Sequence, residues 1–241
     1  MYSFSFSFSL MLVIFLLIAF AAGSYFLRKL TGMASIVGGI TALVIYLGGG
    51  LPALIMLGVF FVLGTAATSH KRNFKNEMRL THAGETKRNL GQVLANSGVP
   101  AILSLLNIAT GYTQPVLLVM VAASLASATG DTLSSELGNV YGRNFYNVLT
   151  FKKDQRGLNG VISVEGTLFG AIGSLAIATI HAVAYDLNFA FFVIVVSGVA
   201  GNLSDSLLGA SLERKGYLGN DAVNFLSTAI AGVVALLMTR L

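Results

Sequence analysis

Val116-Leu117-Leu118-Val119-Met120-Val121-Ala122-Ala123-Ser124-Leu125-Ala126-Ser127 runs directly into Ala128-Thr129-Gly130-Asp131-Thr132-Leu133-Ser134-Ser135-Glu136-Leu137-Gly138. A stretch long enough to cross a bilayer thus ends in two carboxylates and four hydroxyls. Ionisable groups at the end of an apolar helix carry a heavy desolvation cost unless something pairs with them. The sequence offers a partner seventy-four residues later, where Asn202-Leu203-Ser204-Asp205-Ser206-Leu207-Leu208-Gly209 again sets a small residue, an Asp and a hydroxyl at the end of an apolar run. The pair reads as the wall of an active site and suggests a degenerate repeat of helical hairpins.

The rest of the chain agrees with a membrane setting. Of 241 residues, 55% are hydrophobic and 10% charged, and mean hydropathy is +0.78, whereas a soluble domain carries about a quarter charged residues. The apolar runs are too long and too continuous for outer-membrane strands. The expected fold is therefore an all-α, polytopic transmembrane helical bundle. No cysteine is present and only three histidines, which excludes thiolate metal sites and disulfides and makes oxygen ligands, and hence Mg²⁺, the expectation for any metal. Met1-Tyr2-Ser3-Phe4-Ser5-Phe6-Ser7-Phe8 lacks the positive n-region of a signal peptide and reads as the interfacial start of the first span.

Eight spans are expected, near residues 8–27, 33–48, 51–68, 92–110, 115–131, 161–185, 189–208 and 222–239. Residues 1–32 would form an N-terminal transmembrane helix and 33–241 a transmembrane catalytic domain with loops 69–91, 132–160 and 209–221. The short connections around Gly50, Gly111 to Pro115 and Asp186 contain no Lys or Arg. Fourteen of the fifteen basic residues, Arg28, Lys29, Lys71, Arg72, Lys75, Arg79, Lys87, Arg88, Arg143, Lys152, Lys153, Arg156, Arg214 and Lys215, fall on the other side. By the positive-inside rule that side is cytoplasmic, the N-terminus is outside, and the +5 formal charge is chiefly a topology signal. The expected location is a prokaryotic cytoplasmic membrane, with no role in nucleic-acid binding.

Polar residues inside the spans gather at the same end. Arg88, Gln92 and Asn96 share a helix face at i, i+4, i+8. Asp131, Ser135 and Glu136 close the fifth span, Glu165 opens the sixth, Asn202, Asp205 and Ser206 close the seventh, and Asn220, Asp221 and Asn224 open the eighth. The opposite halves of these helices are nearly all apolar, which argues against a transporter or channel with a midplane site and for an interfacial enzyme. Gly166, Gly170, Gly173, Gly198 and Gly201 read as close-packing surfaces. Asp131, Glu165 and Asp205, meeting at one locus, would repel unless a shared Mg²⁺ held them; the bland alternative is that each caps a helix or pairs with a base. Arg88 and the Lys152, Lys153, Arg156 cluster are suitable anion ligands, so a phosphorylated substrate is expected. No P-loop or kinase glycine loop is present.

Arg88 with Gln92-Val93-Leu94-Ala95-Asn96-Ser97-Gly98, Gly130-Asp131-Thr132 with Ser135-Glu136-Leu137-Gly138, Gly160 to Thr167, Asp205-Ser206-Leu207-Leu208-Gly209-Ala210, and Asn220 with Val223-Asn224 occur in that order. Together they resemble the integral membrane family that contains plant phytyl-phosphate kinase and animal transmembrane protein 19, over residues 27 to the C-terminus. The resemblance implies phosphoryl transfer from a nucleoside triphosphate, with CTP suggested as donor, to a prenyl monophosphate lipid such as phytyl phosphate. Under that reading Asp131, Glu165 and Asp205 would bind Mg²⁺, and Arg88 with Arg156 would neutralise phosphate. Gln92, Asn96, Ser135, Glu136, Asn202, Asn220 and Asn224 would line the nucleotide and phosphate site, with the prenyl tail between helices. Competing readings are a polyprenol kinase acting on the free alcohol with a carboxylate as base, a lipid or small-anion transporter, and a structural subunit. The oligomeric state is left open by the sequence.

Overall fold

A computed structural model describes residues 2–78, 87–112 and 114–240, with side chains from Ser9 onward. Arg79, His82 and Thr113, and the side chains of residues 1–8 expected at headgroup level, lie outside the described residues. The chain forms α1 (Tyr2–Phe26), α2 (Gly32–Ser69), α3 (Arg72–Glu77), α4 (Leu90–Ala109), α5 (Pro115–Tyr141), a two-residue strand pair β1 (Tyr146–Asn147) and β2 (Val161–Ile162), α6 (Val164–Tyr185), α7 (Phe189–Leu208) and α8 (Asn220–Met238). Among the described residues seven helices are long and apolar enough to cross a membrane.

The longest of them, α2, makes two crossings. A straight helix of its 38 residues would separate its ends by about 57 Å, yet the Lys29 ammonium, just before it, donates to Ser69 Oγ at its end over 3.3 Å. The reversal is at Gly50, whose φ of 69° and ψ of −170° belong to a region that only glycine occupies without strain. Pro52 follows at the start of the second limb, where its missing N–H costs nothing. The reversal is held from outside as well. Asn107 Nδ2 donates to Gly48 O at 2.8 Å, and Tyr112 OH donates to Leu47 O at 3.1 Å. The eight crossings expected from the sequence are thus realised.

Helix α5 is the axis of the bundle. It packs on α2, α4, α6, α7 and α8, and Val119 to Gly130 is continuously buried. Its contact with α6 is a glycine seam. A Cβ on Gly138 would strike the Gly166 backbone, and one on Gly173 would lie 3.1 Å from Gly130 Cα, so the two helices approach almost backbone to backbone, as small residues permit in membranes. Gly170, Gly198 and Gly201 face equally close neighbours, in line with the packing role expected of all five.

Three boundaries differ from expectation. Helix α5 continues to Tyr141 rather than stopping at 131, because its hydroxyls turn inward to their own helix, as Thr132 Oγ1 does to Ala128 O at 2.9 Å, and because the glycine seam extends through Gly138. The loop between the second and third long helices contains α3, held by the Lys75 ammonium, which donates to the last carbonyls of α2, Ala67 O at 3.0 Å and Thr68 O at 2.9 Å. The loop after α5 folds into the β1–β2 pair. Asp154 pins it by an ion pair to Arg214 at 2.8 Å, and Arg214 Nε also donates to Asn159 O at 2.5 Å.

Two outcomes follow from this packing. A Cβ at Gly48 would run into the Ser104 backbone, whereas Gly58 has open space around it. Gly48→Ala is expected to destabilise by about 1–3 kcal/mol, read as a lower thermal midpoint in detergent, with Gly58→Ala unchanged. The Asp154 carboxyl is held below the usual range, first by the Gln155 N–H at 2.8 Å and then by Arg214. A depressed carboxyl stabilises the fold above its unfolded pKa and loses that contribution as pH falls through its folded value. Amide protection in residues 145–162, taken relative to the intrinsic exchange rate at each pH, should therefore stay flat from neutral pH and fall below about pH 4, while Asp154→Asn removes the step.

Candidate active site

At the basic end of the bundle the helix ends surround a cavity of about 270 Å³. Its lining brings together ten of the twelve residues singled out from the sequence: Arg88, Gln92, Asn96, Asp131, Ser135, Glu136, Asn202, Asp205, Asn220 and Asn224. Asp131 and Asp205, at corresponding places on α5 and α7, face each other closely enough to share a hydrogen bond between their carboxylates. Asp205 also reaches the Ser227 hydroxyl, but its Oδ2 is buried with no hydrogen-bond partner. Glu213, at the end of the π-helical turn Gly209–Glu213, adds a third negative charge beside the pair. Two opposed carboxylates, one with an orphaned oxygen, need a proton or a cation between them, and Asn96 and Asn202 line the same cavity. This donor set fits Mg²⁺, which takes one or two carboxylates and leaves its other positions to water and phosphate.

The opposite wall is cationic. Lys29, Arg72, Lys75, Lys87 and Arg88 all line the cavity. Lys75 is almost fully buried and pairs with Glu136 at 2.5 Å, so that carboxylate is committed to α3. Arg88 is fixed between two neighbours. Its backbone is stitched to the α1–α2 turn, with Arg88 N donating to Lys29 O at 2.9 Å and Thr31 N to Arg88 O at 3.1 Å. Its guanidinium lies over the Phe60 ring at 5.1 Å and against Gly64, where a Cβ would collide with it. Burial pushes the Arg88 guanidinium below its ordinary pKa, and the Glu136 charge works against that. The cavity is thus polarised, cations on one wall and the Asp131–Asp205 pair on the other.

The remaining expected residues have other placements. Glu165 does not line the cavity; its Oε2 accepts the Arg143 N–H at 3.4 Å, a capping position for the chain leaving α5. Among the described residues no three His, Cys, Asp or Glu side chains stand together as a metal-binding group, so the structure does not assemble the trio of Asp131, Glu165 and Asp205. Arg156 donates to Gly142 O at 2.8 Å and stacks on Phe145 at 4.6 Å, bracing the loop from beneath. Lys152 and Lys153 are exposed on the hairpin away from the cavity lining. Gln92 has a double task, since it lines the cavity and closes a capping box with Asn89 at the start of α4.

The sequence reading did not single out Lys29, Arg72, Lys75, Lys87 or Glu213 as site residues. They belong to charge clusters that serve topology equally well, and only the α2 reversal brings Lys29 to Ser69. One signal was available for Lys75: it lies in a short polar segment just after a long apolar run, where an ammonium can cap open carbonyls.

A family model described as integral membrane protein DUF92 matches residues 13–232. An uncharacterised membrane protein of Methanocaldococcus jannaschii is 34% identical over 189 residues, 78% of this chain and 77% of that one. The chloroplastic protein VTE6 of Arabidopsis thaliana is 30% identical over 199 residues, 79% of this chain and 60% of that one, so this chain spans less than two thirds of the plant protein. An uncharacterised membrane protein of Synechocystis is 32% identical over 188 residues, 76% of this chain and 72% of that one. No solved structure matches. The chain belongs to the DUF92 family of integral membrane proteins.

Proposed function

We propose that the protein is an isoprenoid-monophosphate kinase, which transfers the terminal phosphoryl group of a nucleoside triphosphate, with CTP as the favoured donor, to a prenyl or phytyl monophosphate. The single observation that carries this reading is the polarised cavity at one polar end of a membrane bundle, with five cations on one side and the Asp131–Asp205 pair on the other. Membership in the family of plant phytyl-phosphate kinase supports the acceptor class. The basic residues concentrated at that end support a cytoplasm-facing site in a prokaryotic cytoplasmic membrane.

The chemistry asks for alignment more than for a base. A phosphomonoester is largely a dianion at neutral pH; one of its oxygens attacks the terminal phosphorus, the bond to the leaving nucleoside diphosphate breaks, and the lipid leaves as a diphosphate. No proton has to be removed, and the barrier lies in bringing two anions together. Lys29, Lys87, Arg72 and Arg88 bind and neutralise the two phosphate groups. Asn96, Asn202, Asn220 and Asn224 donate to phosphate oxygens and fix their orientation, with Gln92 and Ser135 at the rim. Asp131 and Asp205 are the residues that would hold Mg²⁺, which when bound supplies charge neutralisation between the reacting phosphates. Gly157 to Ser163, lining the cavity from the loop, keep bulk water from the phosphates.

The test is phosphoryl transfer by purified protein with labelled CTP and ATP, Mg²⁺, and prenyl monophosphates beside the matching alcohols. The expected product is the diphosphate, formed from the monophosphate and abolished by a chelator. Asp131→Asn and Asp205→Asn should each lower kcat by about 10²–10³-fold. Product from the alcohol alone would make one of the two carboxylates a general base and the protein a polyprenol kinase. No transfer to any acceptor from a folded sample would overturn the reading. Gly64→Ala, which displaces the Arg88 guanidinium without removing a charge, should lower kcat/KM about tenfold while leaving the thermal midpoint near that of the native protein.

A further inference from the structure

The second large cavity is lined almost entirely by apolar side chains. Helix α1 packs chiefly on α2, and between them runs a groove of about 590 Å³ lined by residues including Ile18, Ala21, Tyr25, Ser35, Gly39 and Leu43. Two helices meeting over small residues usually close on one another. Here the two helices touch at Gly39, where an added Cβ would meet Ala21 Cβ at an ordinary 3.8 Å, and the groove runs alongside that contact. Ser35 faces this groove, is 5% exposed, and its Oγ has no hydrogen-bond partner. A buried hydroxyl without a partner carries a free-energy cost that a ligand's polar atom would remove.

The groove ends beside the polar cavity. Tyr25, Phe26 and Gly32 line the groove, while Lys29, in the turn between them, lines the cavity. Ser35 lies one turn into α2 from Thr31, whose side chain caps that helix, so the lone hydroxyl is near the cationic mouth. An apolar channel whose only hydroxyl-bearing side chains among the described residues are Ser35 and Tyr25, opening at an ammonium on a cation-rich wall, suits a single hydrocarbon chain ending in phosphate.

We infer that the α1–α2 groove is the tail site of a single-chain lipid monophosphate, with the phosphate at the Lys29 wall and the linkage between chain and phosphate passing Ser35. That the chain is isoprenoid rests on the kinase reading; the site itself does not. Helix α1 is then part of the acceptor site as well as a membrane anchor, and chain length is selected by how far the groove runs toward Ile14.

The experiment is photolabelling of the full-length protein in phosphatidylcholine nanodiscs, without nucleotide, by geranylgeranyl monophosphate carrying a diazirine in its tail. Adducts are mapped by mass spectrometry. Labelling is expected within residues 14–26 and 32–43, competed by unlabelled geranylgeranyl monophosphate and not by added phosphatidylcholine. Gly39→Leu, which fills the groove, should reduce that labelling about tenfold. Ser35→Ala removes a hydroxyl that makes no hydrogen bond within the protein, so the fold is retained, and it should weaken labelling severalfold. Adducts competed equally by phosphatidylcholine would reduce the groove to annular lipid and overturn the inference, as would adducts on other helices or none at all. Transfer activity measured in parallel separates the two claims: activity with labelling elsewhere sinks only the tail site, and groove labelling without activity sinks only the kinase.

Discussion

Two carboxylates placed face to face at the ends of apolar helices set the terms for the whole molecule. Asp131 and Asp205 cannot both carry a bare charge there, and the buried, unpartnered oxygen of Asp205 marks where compensation is lacking. The glycine seam between α5 and α6 lets the loop that follows α5 close over the pair. The α2 reversal carries Lys29 and α3 to the facing wall. Arg88, tied through its backbone to the α1–α2 turn and seated against Gly64 and Phe60, holds its charge at a fixed distance from the acidic side. Such fixed charges need little reorganisation when an anion binds between them.

Much of this was legible in the sequence because membrane burial makes polarity rare and therefore informative. The crossings followed from apolar length, including the two limbs of α2, where Gly48-Gly49-Gly50 followed by Pro52 announced a reversal. Ten cavity residues followed from polar side chains sharing one end of the bundle. Glu165 failed because depth along the helix was readable and direction around it was not; its carboxylate turns to the Arg143 N–H instead. Arg156 failed for a related reason, since a loop arginine can serve phosphate or brace a turn, and here Gly142 O and the Phe145 ring engage it. Lys75 and Glu213 were hidden because their partners lie on other elements, a relation that no spacing within one segment reveals. The length of α5 was underestimated because Ser134 and Gly138 look like loop residues until their packing on α6 is known.

The two cavities also give the apparently peripheral first helix a place in the molecule. With most of its side chains exposed, α1 contributes little to the core, yet with α2 it encloses an apolar groove that opens beside the cationic wall. A bundle built only to hold the carboxylate pair would not need it.

The polarised cavity has a consequence for assembly. Among the described residues its cations all come from residues 29 to 88 and its carboxylates all from residues 131 to 213. The two sets meet where Lys75 of α3 pairs with Glu136 of α5. The charges that line the cavity therefore also tie the two halves of the chain to each other: removing either Lys75 or Glu136 leaves its partner inside the bundle without its paired counter-charge.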